Sequence, residues 1–184
     1  MQIMMDRTAV REIEQTLAHI RNGSNRAMAS AINHTLGVTR TEASREIRNQ
    51  VKLKAAYVNE RLRLQRASIA KPQGRITTPT RGILLSRYDN RQYANGDIGV
   101  QVKPTGGKKR MPNAFYITFA NGVKAIAIRT MSGPGLGRSE GIKVLYGPSV
   151  SQVFTDVKDD LQAPSGERLI ARMEHEAARL MARQ

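Results

Sequence analysis

The chain has 184 residues and no Cys, which excludes disulfides and thiolate metal sites, and no apolar run approaches the roughly 20 residues that span a bilayer. Hydrophobic residues make up 40% and aromatics 4%, with no Trp, so a core of Ile, Val, Leu, Ala and Met is thin, and some burial is expected to come from partner subunits. The net charge of +15 is uneven: residues 1–71 carry 13 basic and 6 acidic side chains, residues 72–147 carry 12 and 3, and residues 148–184 carry 5 and 6. Such a field favours contact with a polyanion, either nucleic acid or an acidic protein surface; the alternative is a basic protein kept soluble by its charge. Met1–Arg7 holds no apolar core of a signal peptide, so the chain is expected to be soluble and made in the cytoplasm.

Residues 6–21 read as an amphipathic helix, with Val10, Ile13, Leu17 and Ile20 on one stripe. Asn22-Gly23 stops it, Gly23 being suited to a left-handed cap, and Ser24 or Asn25 can cap the next helix. Residues 25–37 form a second helical segment whose Ala27, Met28, Ala31, Ile32 and Thr35 make a small-residue face. Thr39-Arg40-Thr41-Glu42 fits a capping box, so either a third helix starts near 40 or the second continues through a kink. Arg40, Arg45, Arg48, Lys52 and Lys54 give this stretch a basic face, and residues 55–66 read as a further helix.

From Ser68 to Leu145 the period changes. Pro and Gly punctuate short β-like runs, predicted as strands at 75–78, 82–87, 97–103, 114–120, 123–130 and 142–146. Asn121-Gly122 between two alternating runs predicts a hairpin with a type I′ turn. Two loops interrupt: the flexible Thr105–Arg110, with Lys108, Lys109 and Arg110 adjacent, and the Gly-rich Met131–Glu140. The run then turns a corner. Ile142–Tyr146 is a short strand, Gly147-Pro148 breaks it, and Ser149 or Ser151 caps a helix over 150–161. Asp159-Asp160 and Ala163–Gly166 read as a break before a last helix over 167–182, with Leu169, Ile170, Met173, Ala177, Leu180 and Met181 as its stripe. The fold class is α+β, with N-terminal helices, a central antiparallel β-sheet and a C-terminal helix packed on the sheet. Residues 1–67 form a helical region, and 68–184 the sheet core with its C-terminal helices.

Chemistry is sparse. Gly133–Gly137 has the wrong spacing for a nucleotide-binding loop and no Lys-Ser/Thr pair. His19, His34 and His175 read as solvated, and Asp156, Asp159 and Asp160 as helix surface without a cation-binding pattern. Ser149 lacks the Gly-x-Ser-x-Gly elbow and reads as a cap. The sequence gives no basis for an enzyme, a cofactor or a metal. Lys108, Lys109 and Arg110 are the best candidates for phosphate contact, the alternative being an exposed hairpin tip. The tyrosines 88, 93, 116 and 146 are not interleaved with cations along the chain, which argues against specific single-strand binding.

The corner Ile142–Phe154, with Leu145, Tyr146, Gly147, Pro148 and Ser149 at its centre, resembles the signature of the phage minor tail protein Z family. Arg26–Thr35, Arg45-Glu46-Ile47 and Val51–Lys54 agree with it. The resemblance runs from about Ala9 to the C-terminus. It implies a structural virion protein of a long-tailed phage or prophage, at the head-proximal end of the tail, acting in tail completion and the head–tail junction. Its implied partners are other neck and tail proteins, such as the tail terminator and the head connector. It also implies a homo-oligomeric ring around the DNA passage, with sixfold symmetry expected. Lys108, Lys109, Arg110 and the Arg40–Lys54 set would then face DNA or an acidic neighbour, without sequence preference. No membrane contact is expected. The rival reading is a basic DNA-binding regulator using a helix–turn–helix built from residues 25–66.

Overall fold

The computed structural model describes residues 7–20, 22–131 and 141–182. It is an α+β protein, with helices first, antiparallel strands in the middle and a long helix last. By contacts the chain divides into two units. Unit 1 comprises residues 1–46, 59–78 and 154–184; unit 2 comprises 47–58 and 79–153.

Helix α1 (Arg7–Thr16) is shorter than its periodicity suggests, and Leu17 to Ile20 continue as turns. Ile13, Leu17 and Ile20 are buried as the stripe requires. The left-handed residue is Asn22, at φ 55, not Gly23. Gly23 serves close packing instead, since a Cβ there would sit 2.8 Å from that of Ile20. Helix α2 (Gly23–Gln50) is one continuous element. Thr39 is therefore not a cap. It lies mid-helix, fully buried, with its hydroxyl 2.7 Å from that of Ser165. Gly37 is exposed with open space around it. Its intrinsic cost of about 1 kcal/mol is offset by the buried residues on either side, Leu36 and Thr39 among them.

Helix α3 (Ala55–Arg61) ends before the expected residue 66, because Arg63–Gln65 forms strand β1 against β2 (Arg75–Thr77). The last helix, α4 (Val150–Met181), runs straight through Pro164. The expected break is absent: Pro164 lies on the exposed side, while Leu161, Ser165 and Leu169 anchor the buried side around it. Val150, Val153, Phe154, Val157, Met173, Ala177 and Leu180 extend that buried line, whereas Met181 is exposed. In unit 1, α2 and α4 are joined by the Thr39–Ser165 contact and by a two-pronged pair in which Arg168 donates to both Glu42 oxygens, at 3.1 and 2.7 Å.

Among the described residues the strands form four small antiparallel sheets. One is β1–β2. The other three lie in unit 2: β3 (Ile83–Leu84) with β10 (Tyr146–Gly147); β4 (Asp89–Gln92), β5 (Ile98–Gln101) and β6 (Lys109–Met111) in that order; and β7 (Ala114–Thr118), β8 (Lys124–Arg129) and β9 (Ile142–Val144) in that order. The central strands β5 and β8 carry the apolar centre, with Ile98, Val100, Ala125, Ile126 and Ala127 buried. The β7–β8 hairpin forms as expected, but through a three-residue loop in which only Gly122 takes positive φ. A type I′ turn would need two such residues. Of the Gly-rich loop predicted over 131–140, residues 132–140 lie outside the described residues.

The corner after β9 is held from several sides. The Tyr88 hydroxyl donates to the Pro148 carbonyl at 2.8 Å. A Cβ on Gly147 would come within 2.8 Å of the Tyr88 ring, so the position admits only glycine without displacement. Burial, with a smaller contribution from Tyr57, pushes the Tyr88 phenol well above its ordinary range. Ser149 and Gln152 cap α4 reciprocally: Ser149 N–H donates to Gln152 Oε1 at 2.8 Å, and Gln152 N–H to Ser149 Oγ at 3.1 Å. Leu145 ties β10 to its neighbours, accepting from Leu85 N–H and donating to Ile126.

Candidate nucleic-acid interface

The cations singled out in the sequence are divided between the two units. Arg40 and Arg45 belong to unit 1, and Arg48, Lys52, Lys54 and Lys108 to Arg110 to unit 2. Arg40 is half-buried and donates to the Asn59 carbonyl at 2.6 Å, so it is built into the fold. Arg45 is exposed, 3.4 Å from Glu46. Arg48 and Lys54 are exposed.

The remaining four meet the β4–β5–β6 sheet. Lys109 and Arg110 are not a loose tip: they lie in β6, paired with Val100 and Gly99 of β5. The preceding turn is also tied down, since Gln101 Nε2 donates to the carbonyls of Pro104 and Gly106 at 3.1 and 2.6 Å. Strand alternation then splits the tripeptide. Lys109 stands opposite buried Val100, while Lys108 and Arg110 share the other face.

On that face Asp89 sits between Lys52 and Lys108, 2.9 Å from each Nζ. Lys52 Nζ also donates to Gln101 Oε1 at 2.8 Å, and its backbone N–H to the Val102 carbonyl at 2.7 Å. The hydrogen bonds from Lys52 and then Lys108 hold the Asp89 carboxyl below its usual range. Two residues along β4, Arg91 stands in register with Gly99 and Arg110. Gly99 leaves room for the Tyr93 ring, which a Cβ there would meet at 2.7 Å. The Arg110 guanidinium lies 4.3 Å from the centre of that ring and Arg91 5.9 Å. One sheet face thus presents Lys52, Arg91, Lys108 and Arg110 around Asp89, with Arg91 and Arg110 at the solvent.

Asp89, Arg91, Tyr93 and Gln101 escaped the sequence reading because they join the cations only through strand register. Cation–tyrosine contacts are likewise invisible along the chain, yet the fold makes them at Tyr93 and, through Arg87 at 5.8 Å, at Tyr57. Arg110 lies against the Tyr93 ring, which thereby serves as a support for charge.

Within residues 25–66, the stretch proposed for a helix–turn–helix, α2 runs unbroken to Gln50, and α3 follows after a break at residues 51–54. The three His residues are exposed, and among the described residues no group of His, Asp and Glu could hold a metal. No described helix is long and apolar enough to cross a membrane. No curated protein and no solved structure resembles the chain closely enough to count as a match. The family model of the prophage minor tail protein Z (GPZ) matches residues 7–183, and with that coverage the chain belongs to this family of phage tail proteins.

Proposed function

We propose that this tail protein works at the head-proximal end of the tail, as a ring of copies that completes the tail and joins it to the head. The β4–β6 face touches the phosphates of the DNA that passes there. The tail assignment rests on family membership over nearly the whole chain. The DNA contact rests on one observation: Lys52, Arg91, Lys108 and Arg110 converge on one sheet face, where Asp89 pairs with the two lysines. Positioned arginines and lysines suit backbone contact, which is salt-sensitive and indifferent to sequence. The sixfold ring is carried over from the family resemblance alone.

Placement is tested by immunogold labelling of an epitope-tagged chain on purified tails. Label confined to the end that meets the head is the expected result. Label along the tube or at the distal tip contradicts it. Light scattering of the purified chain, alone and with tail tubes, gives the number of copies.

A further inference from the structure

Unit 1 contains a cleft of about 710 Å³ between Ile32, Thr35 and Leu36 of α2, Leu169 of α4, and the segment 73–77. Arg75, Ile76 and Thr77 all line it. Gln65 of β1, which pairs with Arg75, lines it as well. Among the described residues β2 pairs with β1 alone, which leaves its other edge without a strand partner.

The cleft wall also carries a polar group with nothing to bind. Thr35 is 0% exposed and its Oγ1 has no hydrogen-bond partner. Other helical threonines are satisfied: Thr16 donates to the Glu12 carbonyl and Thr41 to that of Gly37, while Thr39 meets Ser165. Lys71 and Arg75 stand among the lining residues, and no carboxylate does. Arg75 commits its Nε to Gln65 and keeps its charge.

We propose that this cleft takes an extended peptide segment of another tail protein, laid along β2 as an added strand. Its apolar side chains enter between Ile32, Leu36 and Leu169, and one of its polar groups meets the Thr35 hydroxyl. An acidic residue at its end faces Lys71 and Arg75. Backbone pairing supplies the affinity, and the pocket and the two cations supply the selectivity. The proposal is independent of the DNA contact on the β4–β6 face and can fail without it.

The test is fluorescence anisotropy on the full chain with three labelled octapeptides. One alternates leucine with threonine and ends in two aspartates, one ends in two lysines instead, and one keeps the aspartates but has proline at its centre. Saturable binding of the first is expected, at least tenfold weaker for the second and lost for the third. Lys71→Glu with Arg75→Glu should reverse the charge preference. Thr35→Val, which removes the partnerless hydroxyl and keeps the shape, should fold normally and bind the first peptide several-fold more weakly. No saturable binding, equal binding of all three peptides, or binding unmoved by Thr35→Val overturns the proposal. Self-association of the chain that Arg75→Glu abolishes also overturns it, because the occupant would then be a second copy.

Discussion

The two units handle charge differently. Unit 1 has 16 basic and 12 acidic residues, whereas unit 2 has 14 and 3. In unit 1 the acids are woven into the packing. Glu42 takes both prongs of Arg168, and Glu176, 1% exposed, lies between Arg172 at 2.6 Å and Arg179 at 2.5 Å. In unit 2 the acids are too few to match the cations, and Asp89 is shared by two lysines. A charge that holds a fold together must have its counter-charge within the same fold. An excess held in place by a sheet, with its guanidinium groups at the surface, is available to something outside.

The widest separation between the units is expected from removing one charge in each. Glu176→Ala leaves two guanidinium groups facing a buried gap and should cost roughly 2–3 kcal/mol in denaturant unfolding, less than for a fully buried pair because both arginines are partly solvated. Arg110→Ala should change stability by no more than about 0.5 kcal/mol. Equal effects would break the comparison. Gly147→Ala sharpens it from the packing side: the new methyl group meets the Tyr88 ring, for about 2 kcal/mol, and strains the corner where α4 begins. Tyr88→Phe, which leaves the Pro148 carbonyl without its donor, should cost about 1 kcal/mol.

Acid separates the units more finely. Burial works to raise the Glu176 carboxyl, but the Ser30 hydroxyl, Arg179 and Arg172 outweigh it and hold it below its usual value. Asp89 is lowered as well, by its lysine hydrogen bonds. A folded-state value below the unfolded one gives stability that is present above the unfolded pKa and is lost as pH falls through the folded one. Stability measured below the ordinary carboxylate range should therefore decline, and Glu176→Gln should flatten that decline more than Asp89→Asn, since Asp89 is the more solvated.

Much of the fold was legible in the sequence where apolar spacing was strong. The stripes of α1 and α4, the small-residue face of α2, the β7–β8 hairpin and the Ser149 cap all follow from local pattern. What was not legible follows from distant contacts. Thr39–Glu42 read as a new start or a kink and Ala163–Gly166 as a break, but Gly37 and Pro164 each sit on a solvent side while buried neighbours hold the helix together. Arg63–Gln65 and Lys109–Met111 lack apolar alternation, so their pairing partners alone make them strands. The candidate site shows the same divide. Lys108 and Arg110 were visible as cations, but that they share a face without Lys109, and that Asp89, Arg91 and Tyr93 join them, depends on a register that no local pattern encodes.

The most direct test of the central claim is duplex DNA binding by the purified chain as a function of salt. The account predicts weak binding of unrelated sequences alike, with log K falling linearly with log salt. Arg91→Glu with Arg110→Glu should reduce the slope by about 2, at roughly 0.9 for each phosphate no longer neutralised. The exposed unit 1 change Arg63→Glu should leave it unaltered. A slope untouched by the β4–β6 changes, or lowered as much by Arg63→Glu, would contradict the assignment of that face to DNA.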